Sequence, residues 1–282
     1  MKNGEINIRD PFVLVYDGKY YLYGTRGATC WGPADGFDVY VGTDLEHWDG
    51  PVEVFHNNGD FWADRNYWAP EVYHYGDAFY MFASFKSEHR RRGTQILKSS
   101  APVGPFIPLG DGPVTPEDWD CLDGTLYIED EQAYLVFCHE HRQVIDGEMN
   151  WMALNSDLSA AGAPGLLFRA SASPYAEPLE NGHYITDGPF LYRCGNGALL
   201  MIWSSFGRAG YFQAVARSLS GSIKGPWVHD EESLFKTDGG HGMIFKGLDG
   251  ERYLTLHSPN TTLQEHPAFF WIKEQNGHLV IV

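Results

Sequence analysis

Asp10-Pro11-Phe12-Val13-Leu14-Val15-Tyr16, then Asp17-Gly18, then Lys19-Tyr20-Tyr21-Leu22-Tyr23-Gly24, reads as a hairpin. Two aromatic and β-branched runs flank an Asp-Gly pair, the strongest short-range hairpin signal. The same unit returns four more times. Pro70 to Tyr75 turns at Gly76-Asp77 into Ala78 to Ala83, and Asp123 to Ile128 turns at Glu129 to Glu131 into a run ending at Cys138. Asp187 to Tyr192 turns around Gly195 to Gly197 into Ala198 to Trp203, and His241 to Lys246 turns at Asp249-Gly250 into Glu251 to His257. The units recur every 50 to 65 residues, about the length of a four-stranded propeller blade.

Further strands complete the unit. Val39 to Thr43, Gln95 to Ser99, Met149 to Asn155 and Gln213 to Ser218 read as third strands. Three are followed by related tails: Asp49-Gly50-Pro51, Ala101 to Phe106, and Ser220 to Trp227. Helical periodicity is absent over any long window. The expected fold is all-β: a five-bladed β-propeller of four-stranded antiparallel blades around a central channel, with residues 1–282 as a single domain. The regular long spacing favours it over a sandwich or a solenoid. Such a length buries a core without disulfides. Cys30, Cys121, Cys138 and Cys194 show neither CxxC nor zinc-site spacing, so no structural disulfide is expected.

Charge narrows the partners. Twenty Lys and Arg stand against 37 Asp and Glu, and a net charge of −17 repels phosphate backbones. Nucleic acid is therefore not an expected partner. The one basic cluster, His89 to Arg92, reads as a solvated loop. No stretch is apolar for long enough to span a bilayer, so no membrane partner is expected. Met1 to Asp10 carries no apolar leader core, which leaves a cytoplasmic protein or a secreted or periplasmic one already trimmed. No motif sets an oligomeric state.

In a propeller the starts of the innermost strands gather around one mouth of the channel. Four of the five repeats begin on Asp10, Asp123, Asp187 and His241, and the second places Glu71 one position later. Clustered carboxylates repel one another when ionised, so their pKa values spread apart, which suits one acid and one base. A lone Asp before Gly or Pro is usually a turn cap. Its recurrence at blade starts favours a functional ring.

These residues resemble glycoside hydrolase family 43, the five-bladed arabinofuranosidases and xylosidases. Arg9-Asp10-Pro11-Phe12 with Tyr20-Tyr21-Leu22, Trp68-Ala69-Pro70-Glu71-Val72, Leu122-Asp123 with the acidic turn at Glu129 to Glu131, and Gly240-His241-Gly242 carry the resemblance over essentially the whole chain. It implies single-step inversion, with Asp10 as general base and Asp123 tuning and orienting the acid. The family's acid is a Glu in Glu-Gly-Pro. Here Asp187-Gly188-Pro189 stands in that place, one methylene shorter. Inverting enzymes work with carboxylates about 6.5–9.5 Å apart, so an Asp can serve. Glu140, in His139-Glu140-His141, is the alternative acid. Trp68 and Trp31 are the expected stacking surfaces, with packing between blades as the competing role. His139, Arg208 and Glu71 are further candidates for sugar contacts, a surface position being the competing role for Arg208. The resemblance also implies that His241 helps hold a central ion, often calcium, largely through waters; a hydrogen bond within the channel is the alternative. No cofactor is required by the chemistry.

The expected substrate is carbohydrate, and the expected activity is exo-acting removal of terminal α-L-arabinofuranosyl residues from plant cell-wall polysaccharide or oligosaccharide. β-Xylosidase and β-galactofuranosidase activities fit the same scaffold. The loops Trp31 to Phe37, His56 to Tyr67 and His139 to Asn150 would close the mouth into a pocket, whereas an open groove would suit an endo-arabinanase. A non-catalytic sugar-binding propeller is the alternative of another class.

Overall fold

The computed structural model describes residues 1–275 and 277–282. Among them, five four-stranded sheets follow one another along the chain. The first blade holds β1 (Ile8–Tyr16), β2 (Lys19–Arg26), β3 (Gly36–Gly42) and β4 (Asp49–His56); the second holds β5 (Arg65–Tyr75), β6 (Ala78–Lys86), β7 (Gly93–Ser99) and β8 (Ile107–Pro108). The third contains β9 (Cys121–Glu129), β10 (Gln132–His139), β11 (Glu148–Ala153) and β12 (Gly165–Arg169), with the short helix α1 (His141–Val144) between β10 and β11. The fourth contains β13 (Asp187–Arg193), β14 (Leu199–Gly207), β15 (Gly210–Ser218) and β16 (Trp227–His229). The fifth contains β17 (Gly240–Lys246), β18 (Arg252–Ser258), β19 (His266–Gln275) and β20 (His278–Ile281). The expected five-bladed propeller is therefore the fold, and its inner strands are β1, β5, β9, β13 and β17.

Turn chemistry sets the register. Asp17 and Gly18 both take positive φ, 47° and 69°, as a two-residue type I′ hairpin requires. Faces of neighbouring blades then bury alternate residues against each other. Phe82, Ile96, Leu126, Leu135 and Phe137 fill the space between the second and third blades. Val136, Met149, Phe168, Met201 and Trp203 fill that between the third and fourth, and Ile202, Val215, Ile244 and Leu254 that between the fourth and fifth. The four cysteines are buried free thiols, and Cys121, Cys138 and Cys194 belong to this packing.

Each inner strand carries the same irregularity near its start. Pairing with the second strand shifts between Arg9 and Phe12, between Trp68 and Glu71, between Asp187 and Phe190, between Gly240 and Met243, and, in β9, opposite Val136 and Cys138. One residue in each shift is left-handed: Asp10 at φ 53°, Ala69 at 47°, Asp123 at 56°, Gly188 at 50° and His241 at 51°. These are β-bulges, which free a backbone amide from its own ladder. The next residue is Pro in three blades, where no N–H is left to satisfy, and Gly in two.

The freed amide is taken up by the preceding blade. Ala69 N donates to Thr25 Oγ1 at 2.8 Å, Asp123 N to Ser84 Oγ at 2.8 Å, His241 N to Ser204 Oγ at 2.7 Å and Asp10 N to His257 Nδ1 at 3.1 Å. The acceptors occupy one register position on the second strand of each blade. In the third blade that position is Cys138, and there Gly188 N donates instead to Asp123 Oδ2 at 3.0 Å.

The first and last blades share no strand, so side chains close the ring. Arg9 Nη1 meets Glu265 Oε1 at 2.8 Å, Asn7 Nδ2 donates to Glu265 O at 2.9 Å, and Leu248 N donates to Tyr20 Oη at 2.7 Å. Trp48 stacks on Phe269 with centroids 5.9 Å apart.

A buried donor stripped of its acceptor costs about 1–3 kcal/mol. Ser204→Ala should therefore lower stability by about 1–3 kcal/mol, read as a fall in the urea midpoint at unchanged slope; an unchanged midpoint would show that the inter-blade amide bond contributes nothing.

Candidate active site

The bulges place their side chains at one mouth. Asp10, Asp123, Asp187 and His241 line a small cavity of about 50 Å³ together with Arg9, Cys30, Trp31, Trp68, Leu122 and Tyr211. The strands supply its floor, and the loop from β2 to β3 supplies Cys30 and Trp31. One expectation needs correcting. Asp187 does not occupy the position of Asp10 and Asp123, because Gly188 is the left-handed residue of β13 and Asp187 precedes it. A glycine is needed at 188: a Cβ there would sit 2.6 Å from the His241 ring. Glu71 likewise falls two residues after its bulge rather than on it.

Burial raises the cost of every charge at the mouth, and neighbours decide which group keeps one. Burial alone would raise Asp10, but His241 Nδ1 at 3.2 Å, the adjoining Arg9 and a 2.6 Å hydrogen bond from Thr25 Oγ1 hold it below the usual carboxylate range. Asp123 and Asp187 go the other way, each to about 7. For Asp123 the causes are burial and then the Asp10 charge; for Asp187 they are burial and then Asp123. Near neutral pH one carboxylate is ionised while its neighbours compete for protons. Tyr211, whose burial keeps it protonated, donates to Asp187 Oδ2 at 3.0 Å. The carboxyl proton of Asp187 is thereby directed to Oδ1. Such a set can accept a proton at Asp10 and give one at Asp187.

His257 holds the Asp10 backbone from behind. Its Nδ1 accepts the Asp10 amide, so its proton lies on Nε2, 3.1 Å from Asn260 Oδ1. Burial pushes its pKa down to about 3, which keeps the ring neutral.

Other expected site residues are distributed differently. Trp31, 58% exposed, packs edge-on against Trp68 with centroids 5.3 Å apart. Trp68 is backed by the Arg92 guanidinium, 3.6 Å from its ring centroid. Arg92 is thus buried rather than part of a solvated loop, unlike Arg90 and Arg91, which pair with Glu117 and Asp120 near the surface. Glu140 is buried with both oxygens engaged, one by Arg92 Nε at 3.3 Å and one by Arg142 Nε at 3.2 Å. His139 stacks on Trp119 at 4.1 Å and bonds Gln143, away from the cavity lining. Glu71 is bound by Tyr73 Oη at 2.5 Å, and burial raises its pKa to about 8. Arg208 is 91% exposed and paired with Glu177 on the rim of the fourth blade. Arg9, Tyr211, Thr25 and His257 were not singled out by sequence. Arg9 adjoins Asp10 in the quoted motif, but nothing local marks the other three.

A calcium site fits these residues poorly. Calcium takes six to eight oxygens, whereas His241 offers nitrogen, its Nδ1 faces Asp10, and its ring edge lies against Gly188. Among the described residues, the one trio of potential ligand groups within 4.8 Å is Asp35, Glu53 and His56, which is exposed and already bridged by Arg26.

The raised Asp187 has a consequence for stability. A carboxyl whose folded pKa of about 7 exceeds its unfolded value of 3.8 contributes fully below the unfolded value, and that contribution is lost as pH rises through 7. Asp187→Asn should therefore gain melting temperature over the parent by about 4 °C or more at pH 8 but not at pH 4. An equal difference at both pH values would show that Asp187 is not held protonated.

Similarity to known proteins agrees with this geometry. The chain matches the model of glycosyl hydrolases family 43 over residues 4–272. A solved endo-arabinase from Bacteroides thetaiotaomicron is 39% identical, with a TM-score of 0.92 and 98% of both chains covered. An endo-1,4-beta-xylanase from the same species, at 24% identity, shares the fold with a TM-score of 0.78 over 98% of this chain and 94% of that one. A xylosidase/arabinosidase from Bacteroides ovatus is 29% identical over 135 residues, which is 42% of each chain, so less than half of that relative's length is matched. With its five blades, its buried carboxylates at one mouth and a family match over nearly its whole length, the chain belongs to glycosyl hydrolase family 43 and is a glycoside hydrolase.

Proposed function

We propose that the protein is an inverting hydrolase of α-L-arabinofuranosides, acting on the terminal unit of a plant cell-wall arabinan or arabino-oligosaccharide. The observation that carries this reading is the split in protonation between Asp10, held ionised, and Asp187, held protonated up to about 7. Asp10 takes the proton of a water as it attacks the anomeric carbon. Asp187 gives its proton from Oδ1 to the departing glycosidic oxygen. Burial, and after it the neighbouring Asp123 carboxylate, holds the proton on Asp187. Glu140 is the weaker acid candidate because two guanidiniums occupy its oxygens. Trp31 and Trp68 add apolar surface to the lining of the hollow that holds the carboxylates, and its narrowness suits the end of a chain. Arabinose is favoured over xylose and galactofuranose by the name of the endo-arabinase matched at 39% identity.

A second reading, cleavage within a chain, draws on the endo-arabinase at 39% identity. It is also favoured by an open hollow of about 470 Å³ lined by Tyr175, Glu177, Arg208, Phe212 and Lys236. Its lining residue Gly210 precedes Tyr211, the hydrogen-bond partner of Asp187, in the chain. A sugar-binding module without activity would have no use for a carboxylate pair of opposite protonation.

Nitrophenyl α-L-arabinofuranoside should be hydrolysed, and Asp10→Ala should lose at least about 100-fold in kcat. Full activity in that variant would refute the base assignment. The rate on a natural oligosaccharide should fall as pH rises through about 7, as Asp187 loses its proton; in Asp187→Ala this limb should vanish and nitrophenyl substrates should be rescued relative to oligosaccharide. Debranched arabinan should release arabinose alone at early times, whereas early oligosaccharides would favour the second reading.

A further inference from the structure

The ring of inter-blade amide bonds has one deviant member, and it lies against the acid. Thr25, Ser84, Cys138, Ser204 and His257 hold equivalent places opposite Arg9, Trp68, Leu122, Asp187 and Gly240. Four of them accept the bulge amide of the following blade through an oxygen or a ring nitrogen. Cys138 does not. A thiol sulfur is a weak acceptor. The amide it would have taken, that of Gly188, goes to Asp123 Oδ2 at 3.0 Å. Cys138 is completely buried, with its thiol beside Thr186 and within reach of the charges of Asp123 and Asp187.

We infer that Cys138 is a positioning residue: by not accepting the Gly188 amide it releases that donor to Asp123, which is thereby fastened to the strand that carries Asp187. Asp123 belongs to the third blade and Gly188 to the fourth, so this bond crosses between blades within the site itself. It sets the distance between Asp123 and the residue next to Gly188, which is Asp187. A hydroxyl at 138 would compete for the amide, as Ser84 and Ser204 do in their blades, and Asp123 would be left without its one backbone donor. The inference rests on the proposed roles of Asp123 and Asp187.

The test compares two substitutions that a purely structural role would rank in the opposite order. Cys138→Ser is nearly isosteric, whereas Cys138→Ala leaves a cavity but no acceptor. Each is assayed on nitrophenyl α-L-arabinofuranoside, whose leaving group departs without a proton, and on arabinobiose, whose leaving group needs one. We expect Cys138→Ser to lower kcat on arabinobiose about tenfold relative to the nitrophenyl substrate, a fraction of a general acid's usual contribution. Cys138→Ala should keep the parent's ratio between the two substrates, whatever its melting temperature. An unchanged ratio in Cys138→Ser, or an equal change in Cys138→Ala, would overturn the inference. A crystal structure of Cys138→Ser gives a readout free of activity: the Gly188 amide should point to the new hydroxyl, and an amide still on Asp123 would also overturn it. Absence of turnover by the parent on either substrate would count against the proposed function, and the structural readout would still decide the role of Cys138.

Discussion

Everything at the mouth depends on one backbone conformation. At each inner strand a single residue turns left-handed, which frees an amide from its own blade and points it at the preceding one. For a residue with a Cβ this costs about 1–2 kcal/mol. Four of the five positions bear that cost, at Asp10, Ala69, Asp123 and His241. The inter-blade hydrogen bond offsets it, since the alternative is a buried and unpaired donor. The same turn aims the side chain into the channel. Strain, ring assembly and placement of the reactive groups are thus three aspects of one feature, which fits the tendency of strained residues to collect at functional sites.

The electrostatics follow from this clustering. Bringing carboxylates together at one mouth guarantees that they repel, and burial amplifies the repulsion. The arrangement would be only a penalty if all three were alike. Arg9, Thr25 and His241 make them unlike by favouring the charge on Asp10, and the charge on Asp10 then favours protons on its neighbours. Neutral His257 takes part by geometry, holding the backbone of Asp10 without competing for its charge.

Much of this was legible in sequence because hairpin turns and aromatic runs are local signals. The inner and second strands were visible in all five repeats. The outer strands were not: β8 is two residues long and β16 three, and exposed edges carry no periodicity to read. The carboxylates were legible as recurrent blade starts, but their alignment was off by one at Asp187, since Asp-Gly-Pro and Asp-Pro look interchangeable until Gly188 is seen to take the left-handed place. Arg92 shows the opposite failure. A run of basic residues suggests a solvated loop, and only the fold reveals that one of its members lies over Trp68. Thr25, Tyr211 and His257 act across blades or strands, through contacts that no local pattern encodes.

The seam between the first and last blades is made of side chains and not of a shared strand, and it runs through Asp10. Arg9 reaches Glu265 on one side while the amide beside it reaches His257. A loosening of the two chain ends from each other would act directly on Asp10, whose amide and neighbouring Arg9 make the contacts across the seam. In such a ring, heat would silence the enzyme while most of its sheet structure was still intact, and whatever clamps the ends together would protect catalysis more than it protected the fold.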